Sequence, residues 1–164
     1  MLLFFVLFSC EETTEVEDIE LIDVSSWSMI NLETDLLKNH QPDVVECDIS
    51  AFTIEIDQLE IRTDYCNYAA IEFETQKAIK SGTVLEALIL HTGLWALEEA
   101  EAHFAFYIDG DLFWEEFSPI PADTEFFFHE AVIQREIPQG AAVYFHLHNH
   151  GANNWKLGYL QEVE

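Results

Sequence analysis

The chain has 164 residues, of which 32 are Asp or Glu and 6 are Lys or Arg, so its formal net charge is −26. This composition argues against nucleic-acid binding, which depends on Lys and Arg that neutralise phosphates, and against electrostatic docking on anionic lipid. Hydrophobic residues make up 49% of the chain, which is enough to form the core of one ordinary domain.

The chain begins with a short apolar run that ends in Leu7-Phe8-Ser9-Cys10. The run is too short to span a bilayer, which requires about 20 apolar residues, and it is typical of the hydrophobic region of an export signal. Its last four residues resemble the lipobox of bacterial lipoproteins. That resemblance implies cleavage before Cys10 and acylation of the thiol, with residues 1–9 as signal peptide. An ordinary N-terminal strand is the alternative.

A strongly acidic segment follows Cys10 and includes six Asp or Glu residues between Glu11 and Glu20. Such a segment cannot bury enough apolar surface to fold alone. We therefore predict that residues 10–45 form a tether between membrane and domain, with a short helix over residues 32–39. The acidic cluster also resembles the export tags of some surface-exposed lipoproteins. These resemblances imply a cell-envelope location, at the outer membrane or cell surface, with the membrane as partner through the lipid anchor.

Two cysteines remain once Cys10 is assigned to lipid, and an even pair in an exported protein favours a disulfide. We predict that Cys47 and Cys66 are bonded and close a loop of about twenty residues. Their spacing is not that of a zinc site, which usually uses close Cys pairs. Two buried free thiols are the alternative.

Residues 46–164 contain several short runs with the period-two alternation of β-strands. Residues 52–57 alternate apolar with polar side chains, and further strands are predicted over 84–92, 102–108 and 125–137. Little of this region is typical of helix. The pattern predicts about eight short strands.

Turn signals between these runs indicate how the strands connect. Asp109-Gly110 is a strong signal for a two-residue hairpin, and Pro119 and Pro121 predict that the chain breaks its ladder and crosses over. We predict an all-β fold, a single jelly-roll-like antiparallel β-sandwich. Its architecture resembles that of carbohydrate-binding modules, although no family motif matches residue by residue.

A histidine-rich strand near the C-terminus carries the candidate site. Successive strand side chains point to opposite faces, which separates Val143, Phe145 and Leu147 from Tyr144, His146, His148 and His150. Residues 102–108 divide in the same way and place His103 and Tyr107 on the polar face. If the two strands belong to one sheet, these His and Tyr side chains share one surface.

A face of aromatic and hydrogen-bonding groups suits a sugar, whose ring stacks on aromatics while its hydroxyls pair with polar groups. The predicted ligand-binding residues are Tyr107, Tyr144, Asn149, Asn153 and Trp155. Turn formation is the alternative explanation for the two Asn residues, since Asn bonds its own main chain in turns. The sequence contains no recognisable catalytic motif. We therefore predict a non-catalytic envelope protein that binds a carbohydrate or another small ligand.

A metal site is the second interpretation of the histidines. Two imidazoles at positions i and i+2 lie roughly 6–7 Å apart along a strand, so one pair and a histidine from a neighbouring strand can bind zinc or copper. The predicted ligands are His91, His103, His146, His148 and His150. His40 and His129 are predicted to lie outside the cluster, at the surface. A polar sheet face that holds the 149–151 turn, in a purely structural envelope protein, is the third interpretation.

Overall fold

A computed structural model describes residues 19–163. The predicted signal peptide, Cys10 and the first part of the predicted tether lie outside these residues. Among the described residues, no helix is both long enough and apolar enough to cross a membrane.

Strands account for most of the regular structure. They are β1 (Ile19–Glu20), β2 (Ser28–Met29), β3 (Phe52–Glu55), β4 (Gln58–Arg62), β5 (Tyr68–Glu74), β6 (Val84–His91), β7 (Ala100–Ile108), β8 (Asp111–Ile120), β9 (Glu125–Val132), β10 (Ala142–His148) and β11 (Asn154–Val163). The helices in this part of the chain are two single 3-10 turns, Lys38–His40 and Ile49–Ala51.

The strands form two antiparallel sheets that pack face to face. Sheet 1 has the order β3-β4-β11-β6-β9, with β1 also paired to β11, and sheet 2 has the order β2-β5-β10-β7-β8. From β4 onward the chain builds two four-stranded sheets, β4-β11-β6-β9 and β5-β10-β7-β8. This is the strand order of a jelly roll, so the predicted fold is confirmed. The strand predicted over residues 52–57 corresponds to β3, and the other predicted strands correspond to β5–β11. Strand β4, which joins the jelly roll next to β11, was not predicted.

The core lies between the sheets and is built from inward-facing apolar side chains. In β6, Leu85, Ala87 and Ile89 are fully buried, whereas the residues between them are partly exposed. Large aromatic side chains from both sheets, including Phe104 and Trp155, fill the centre. Burial of each large apolar side chain stabilises the fold by about 1.5–3 kcal/mol.

The N-terminal part of the described chain belongs to the sandwich. Leu21 and Ile22 are buried in the core, β1 pairs with β11 and β2 pairs with β5. The tether predicted to extend to residue 45 is therefore wrong for residues 19–45, because the two apolar side chains that follow the acidic run were not recognised as core. The helix predicted over residues 32–39 is also wrong, since turns and the 3-10 turn Lys38–His40 replace it.

The predicted disulfide is confirmed. Cys47 and Cys66 are bonded, 19 residues apart, and Cys66 is buried in the main core. The bond joins the segment before β3 to the connection between β4 and β5. In the chain-entropy account, closing a loop of this length stabilises the fold by about 3 kcal/mol.

Pro119 lies within β8 and does not end the strand, which differs from the prediction. The strand continues to Ile120, and Pro119 lies opposite Glu101 of β7. Proline is tolerated there because β8 is the edge strand of sheet 2, so its missing amide hydrogen interrupts no central ladder. The predicted crossing occurs after Ile120, where the chain passes to β9 in sheet 1.

Candidate functional site

The structure brings the predicted His and Tyr side chains to one face of sheet 2. β10 pairs with β7 in a register that sets Tyr144 opposite Tyr107 and His148 opposite His103. Tyr144 and His146 lie on the side away from the core, because Val143, Phe145 and Leu147 occupy the core side. The alternation in the sequence predicted this shared face correctly.

This face is covered rather than open. Residues 30–45, here called the strap, run across it, and Leu37 packs against Tyr68, Ala105 and Tyr144. No local sequence pattern predicts this cover, because the strap contacts partners far along the chain. Asp35 and Tyr144, for example, are 109 residues apart. A ligand therefore has no direct access to the tyrosines beneath the strap.

Asp35 fixes the strap through its buried carboxylate. The carboxylate accepts hydrogen bonds from the Tyr68 and Tyr144 hydroxyls, from Gln41 Nε2 at 2.9 Å and from the Leu37 amide at 2.8 Å. Burial alone raises the pKa of Asp35, but these donors outweigh it and hold the pKa below its usual value. Burial and the bond to Asp35 raise the pKa of both tyrosines, so both phenols stay protonated donors.

Three imidazoles meet beside this carboxylate. His103 Nδ1 lies 3.1 Å from His146 Nε2, and His103 Nε2 lies 2.9 Å from Glu115 Oε1. His40 of the strap stacks on His103 with ring centroids 4.5 Å apart. The prediction that His40 lies outside the cluster is therefore wrong. His129, also predicted at the surface, is half-buried and stacks on Trp114.

The remaining predicted metal ligands are not gathered around one point. His148 and His150 lie near each other, with ring centroids 4.9 Å apart. His91 belongs to sheet 1 and is buried in the core, with its ring centroid 4.5 Å from that of Trp155. Among the described residues, no group of three or more His, Cys, Asp or Glu side chains has an arrangement that could hold a metal ion. Zinc or copper binding by the histidines stays a prediction.

Acidification should weaken the fold through these histidines. Burial lowers the pKa of His103, places that of His146 well below its usual value, and lowers that of His148 to about 4. Between about pH 6.5, where unfolded histidine titrates, and about pH 4, the unfolded chain binds more protons, so stability falls as pH falls. The lowered pKa of Asp35 affects the free energy of unfolding only below this pH range.

We expect the free energy of unfolding to decrease by at least about 1 kcal/mol between about pH 7.5 and pH 5, since one pKa unit corresponds to about 1.4 kcal/mol. Urea titrations in about 0.5 M NaCl, which screens the surface carboxylates, measure this difference. A His146→Asn variant should show a smaller difference between the two pH values. Equal stability of the wild type at both pH values would contradict the lowered pKa of the buried histidines.

The Asn-rich turn after β10 is bonded within the protein. Asn149 Nδ2 donates to Thr63 Oγ1 at 2.8 Å, and Asn149 Oδ1 accepts from Trp155 Nε1 at 3.0 Å. Asn153 Oδ1 accepts from the Trp95 amide at 2.8 Å, and Asn153 Nδ2 donates to the His150 carbonyl. Asn149, Asn153 and Trp155 are buried, so these three predicted ligand residues support the loops from within.

The loops at this end of the sandwich form an open cleft of about 600 Å³, lined by residues 96–100, His150 and Gly151. We call it the loop-end cleft. Trp95 directly precedes the lining segment and is 61% exposed. Gly151 has a φ of +83°, and a Cβ there would collide with the Trp95 carbonyl oxygen. The turn and the Trp95 loop therefore fit together only with glycine at this position.

The chemistry of the cleft is apolar and acidic. Leu97 is 90% exposed, and Glu98, Glu99 and His150 supply the polar groups, while none of the described residues that line it is Lys or Arg. The missed signal is the pair Trp95 and Leu97, two large apolar side chains that are exposed, whereas Leu94 and Ala96 of the same run pack in or against the core.

Comparison with known proteins finds no matching family model and no matching curated protein. A CBM4 structure has a TM-score of 0.46 at 9% identity, over 84% of this chain and 86% of that chain. CBM51 from Clostridium perfringens GH95, in complex with methyl-galactose, has a TM-score of 0.42 at 10% identity, over 72% and 79%. TmCBM61, in complex with β-1,4-galactotriose, has a TM-score of 0.41 at 8% identity, over 74% and 87%. Similarities of this size do not bear on function.

Proposed function

We propose that this protein is a non-catalytic, lipid-anchored protein of the cell envelope whose sandwich binds neutral carbohydrate in the loop-end cleft. The observation that carries the proposal is the exposed indole of Trp95 beside a cleft of ligand size. Large side chains with an apolar ring and a polar edge are typical anchors of binding sites.

The cleft offers the two kinds of contact that a sugar needs. The exposed Trp95 ring, which adjoins the lining segment, offers a flat apolar surface for the CH groups of a pyranose. The lining residues Glu98, Glu99 and His150 offer acceptors and a donor for hydroxyls. The hydrogen bond from the Trp95 amide to Asn153 fixes the loop before binding. A fixed loop lowers the ordering cost of association.

The charge of the protein narrows the ligand class to neutral glycans. The net charge is −26, and two carboxylates line the cleft without a described Lys or Arg among its lining residues. Sulfated or carboxylated glycans would bring like charges together, which is unfavourable in a partly desolvated site.

Trp95→Ala should reduce the affinity for a neutral oligosaccharide at least tenfold, which corresponds to a loss of about 1.4 kcal/mol or more. A panel of glucose, galactose, mannose and xylose oligosaccharides identifies the ligand, and isothermal titration calorimetry measures the affinity. Trp95→Tyr keeps an aromatic face and should lose less.

Tyr65→Ala is the matched control, because Tyr65 is also an exposed aromatic residue but lies against Arg62. Trp95, by contrast, directly precedes the lining segment and its carbonyl oxygen lies against the lining residue Gly151. The Tyr65→Ala variant should bind like the wild type. Absence of binding to every neutral glycan in the panel would contradict the proposed function. Binding that survives Trp95→Ala unchanged would contradict the proposed site.

The anchor is tested separately, since Cys10 lies outside the described residues. Cells that express the full chain are labelled with radioactive palmitate, and the protein should be labelled and recovered with membranes. Cys10→Ser should abolish both signals, whereas Cys47→Ser, which changes a disulfide cysteine, should retain the label. An unlabelled wild-type protein would contradict the anchor.

A further inference from the structure

The outer face of sheet 1 exposes two aromatic side chains that no part of the described chain covers. Phe126 and Phe128 of β9 are 58% and 61% exposed, and Val132 lies farther along the same side of the strand. Phe127 points the other way and packs against Phe104 and Trp155. Because β9 carries phenylalanine on both faces, the core accounts for Phe127 and leaves Phe126 and Phe128 without a structural explanation.

The register of three neighbouring strands orders this face into cross-strand rows. From β11 through β6 to β9, the rows are Lys156–Leu90–Phe126, Tyr159–Leu88–Phe128, Gln161–Glu86–Glu130 and Val163–Val84–Val132. We call these rows the aromatic face. The rows extend over about 20 Å along the strands and about 10 Å across them.

A polar group is held in position beside the rings. Glu86 Oε1 accepts hydrogen bonds from the Tyr159 hydroxyl at 2.6 Å and from Gln161 Nε2 at 3.3 Å. A carboxylate offers about four acceptor positions, so Glu86 retains acceptors for ligand hydroxyls. The row with Leu88 and Phe128 lies directly next to it, which places an apolar platform and a fixed acceptor side by side.

We propose that the aromatic face is a second carbohydrate-binding surface that takes an extended neutral polysaccharide chain. The face is far longer than one sugar ring, which suits a chain rather than a terminal sugar. The inference depends on the ligand class of the proposed function but not on the loop-end cleft, since the two surfaces share no residue. Two surfaces on one module increase the apparent affinity for a polymer when both are engaged at once.

Self-association is the competing use of an exposed apolar face. Here the face carries Glu86 and Glu130 among its apolar residues, and the whole chain has a net charge of −26. Lys156 of the same face is bonded to Glu55 at 2.9 Å. Two copies that met through this face would oppose like charges, which costs free energy. A neutral glycan with hydroxyl donors complements the same carboxylates.

The test compares a double variant, Phe126→Ala/Phe128→Ala, with the wild type by affinity electrophoresis in gels that contain soluble neutral glucan, galactan, xylan or mannan. The variant should bind the polymer that retains the wild type at least tenfold more weakly. Its affinity for a short oligosaccharide should equal that of the wild type. Phe126→Tyr/Phe128→Tyr preserves the rings and should remain retained. Ile54→Ala/Leu112→Ala, which removes exposed apolar side chains elsewhere, is the control and should also remain retained.

The outcomes separate this inference from the proposed function. Unchanged polymer retention by the Phe126→Ala/Phe128→Ala variant overturns the second surface, even if Trp95→Ala abolishes oligosaccharide binding. Loss of retention by the same variant alone supports the second surface, even if the cleft proves inactive. A wild-type dimer in light scattering that the double variant converts to a monomer overturns the inference in favour of self-association.

Discussion

Replacing Asp35 with alanine should lower the free energy of unfolding by about 2–4 kcal/mol. The carboxylate is the shared acceptor of the Tyr68 and Tyr144 hydroxyls and of Gln41, and both tyrosines are buried. The Tyr68 hydroxyl would retain the Leu37 carbonyl oxygen at 3.2 Å as an acceptor, whereas the Tyr144 hydroxyl would lose its acceptor. A buried donor left without a partner costs about 1–3 kcal/mol, and loss of the other bonds to Asp35 adds to this cost. Urea titration at neutral pH measures the loss, and hydrogen exchange should show that the amides of residues 30–45 lose protection.

Two variants make the Asp35 experiment specific. Asp43→Ala removes an exposed carboxylate from the same strap and should change stability by less than about 0.5 kcal/mol. Asp35→Asn keeps one oxygen acceptor and should fall between the alanine variant and the wild type. A loss below about 1 kcal/mol in Asp35→Ala would show that the strap does not depend on this carboxylate.

Replacing Gly151 with alanine should lower both stability and glycan affinity. The residue has a φ of +83°, a conformation that costs a residue with a side chain about 1–2 kcal/mol, and the added Cβ would collide with the Trp95 carbonyl oxygen. We expect a total loss of about 2–4 kcal/mol of stability. Displacement of the Trp95 loop should reduce oligosaccharide affinity at least tenfold.

Gly140→Ala is the matched control for Gly151→Ala. Gly140 also has a positive φ, +79°, but a Cβ there would meet nothing within 4 Å. The Gly140→Ala variant should lose only the stability that the positive φ costs a residue with a side chain, and it should bind oligosaccharide like the wild type. If Gly151→Ala behaves like Gly140→Ala in both assays, the close packing of the turn against the Trp95 loop does not support the cleft.

Local patterns in the sequence were sufficient for the fold and for the residues that share a face. Alternation in β7 and β10 correctly separated Phe145 from His146, because strand geometry fixes side-chain direction without knowledge of the partner strand. The Asp109-Gly110 turn and the Cys47–Cys66 bond were likewise accessible from sequence, since each depends on nearby residues or on pairing by elimination.

Long-range packing was not accessible in this way. No local pattern relates Asp35 to Tyr144, so the cover over the predicted face was missed and the strap was read as tether. The same limitation applies to Asn153, whose side chain bonds the amide of Trp95, 58 residues away. The predicted site lay on sheet 2 because the histidine-rich strand belongs to that sheet. The exposed aromatic residues Trp95, Phe126 and Phe128 lie elsewhere.

The most direct test of the central claim is the response of the four tryptophan indoles to a neutral oligosaccharide, followed by NMR of the indole N–H signals. Trp114 and Trp155 are buried and Trp27 is half-buried, and the signal of Trp95 is assigned with a Trp95→Phe variant. The account predicts that the Trp95 signal shifts in a saturable manner while those of Trp114 and Trp155 remain in place. A bound oligosaccharide that leaves the Trp95 signal unchanged would contradict it.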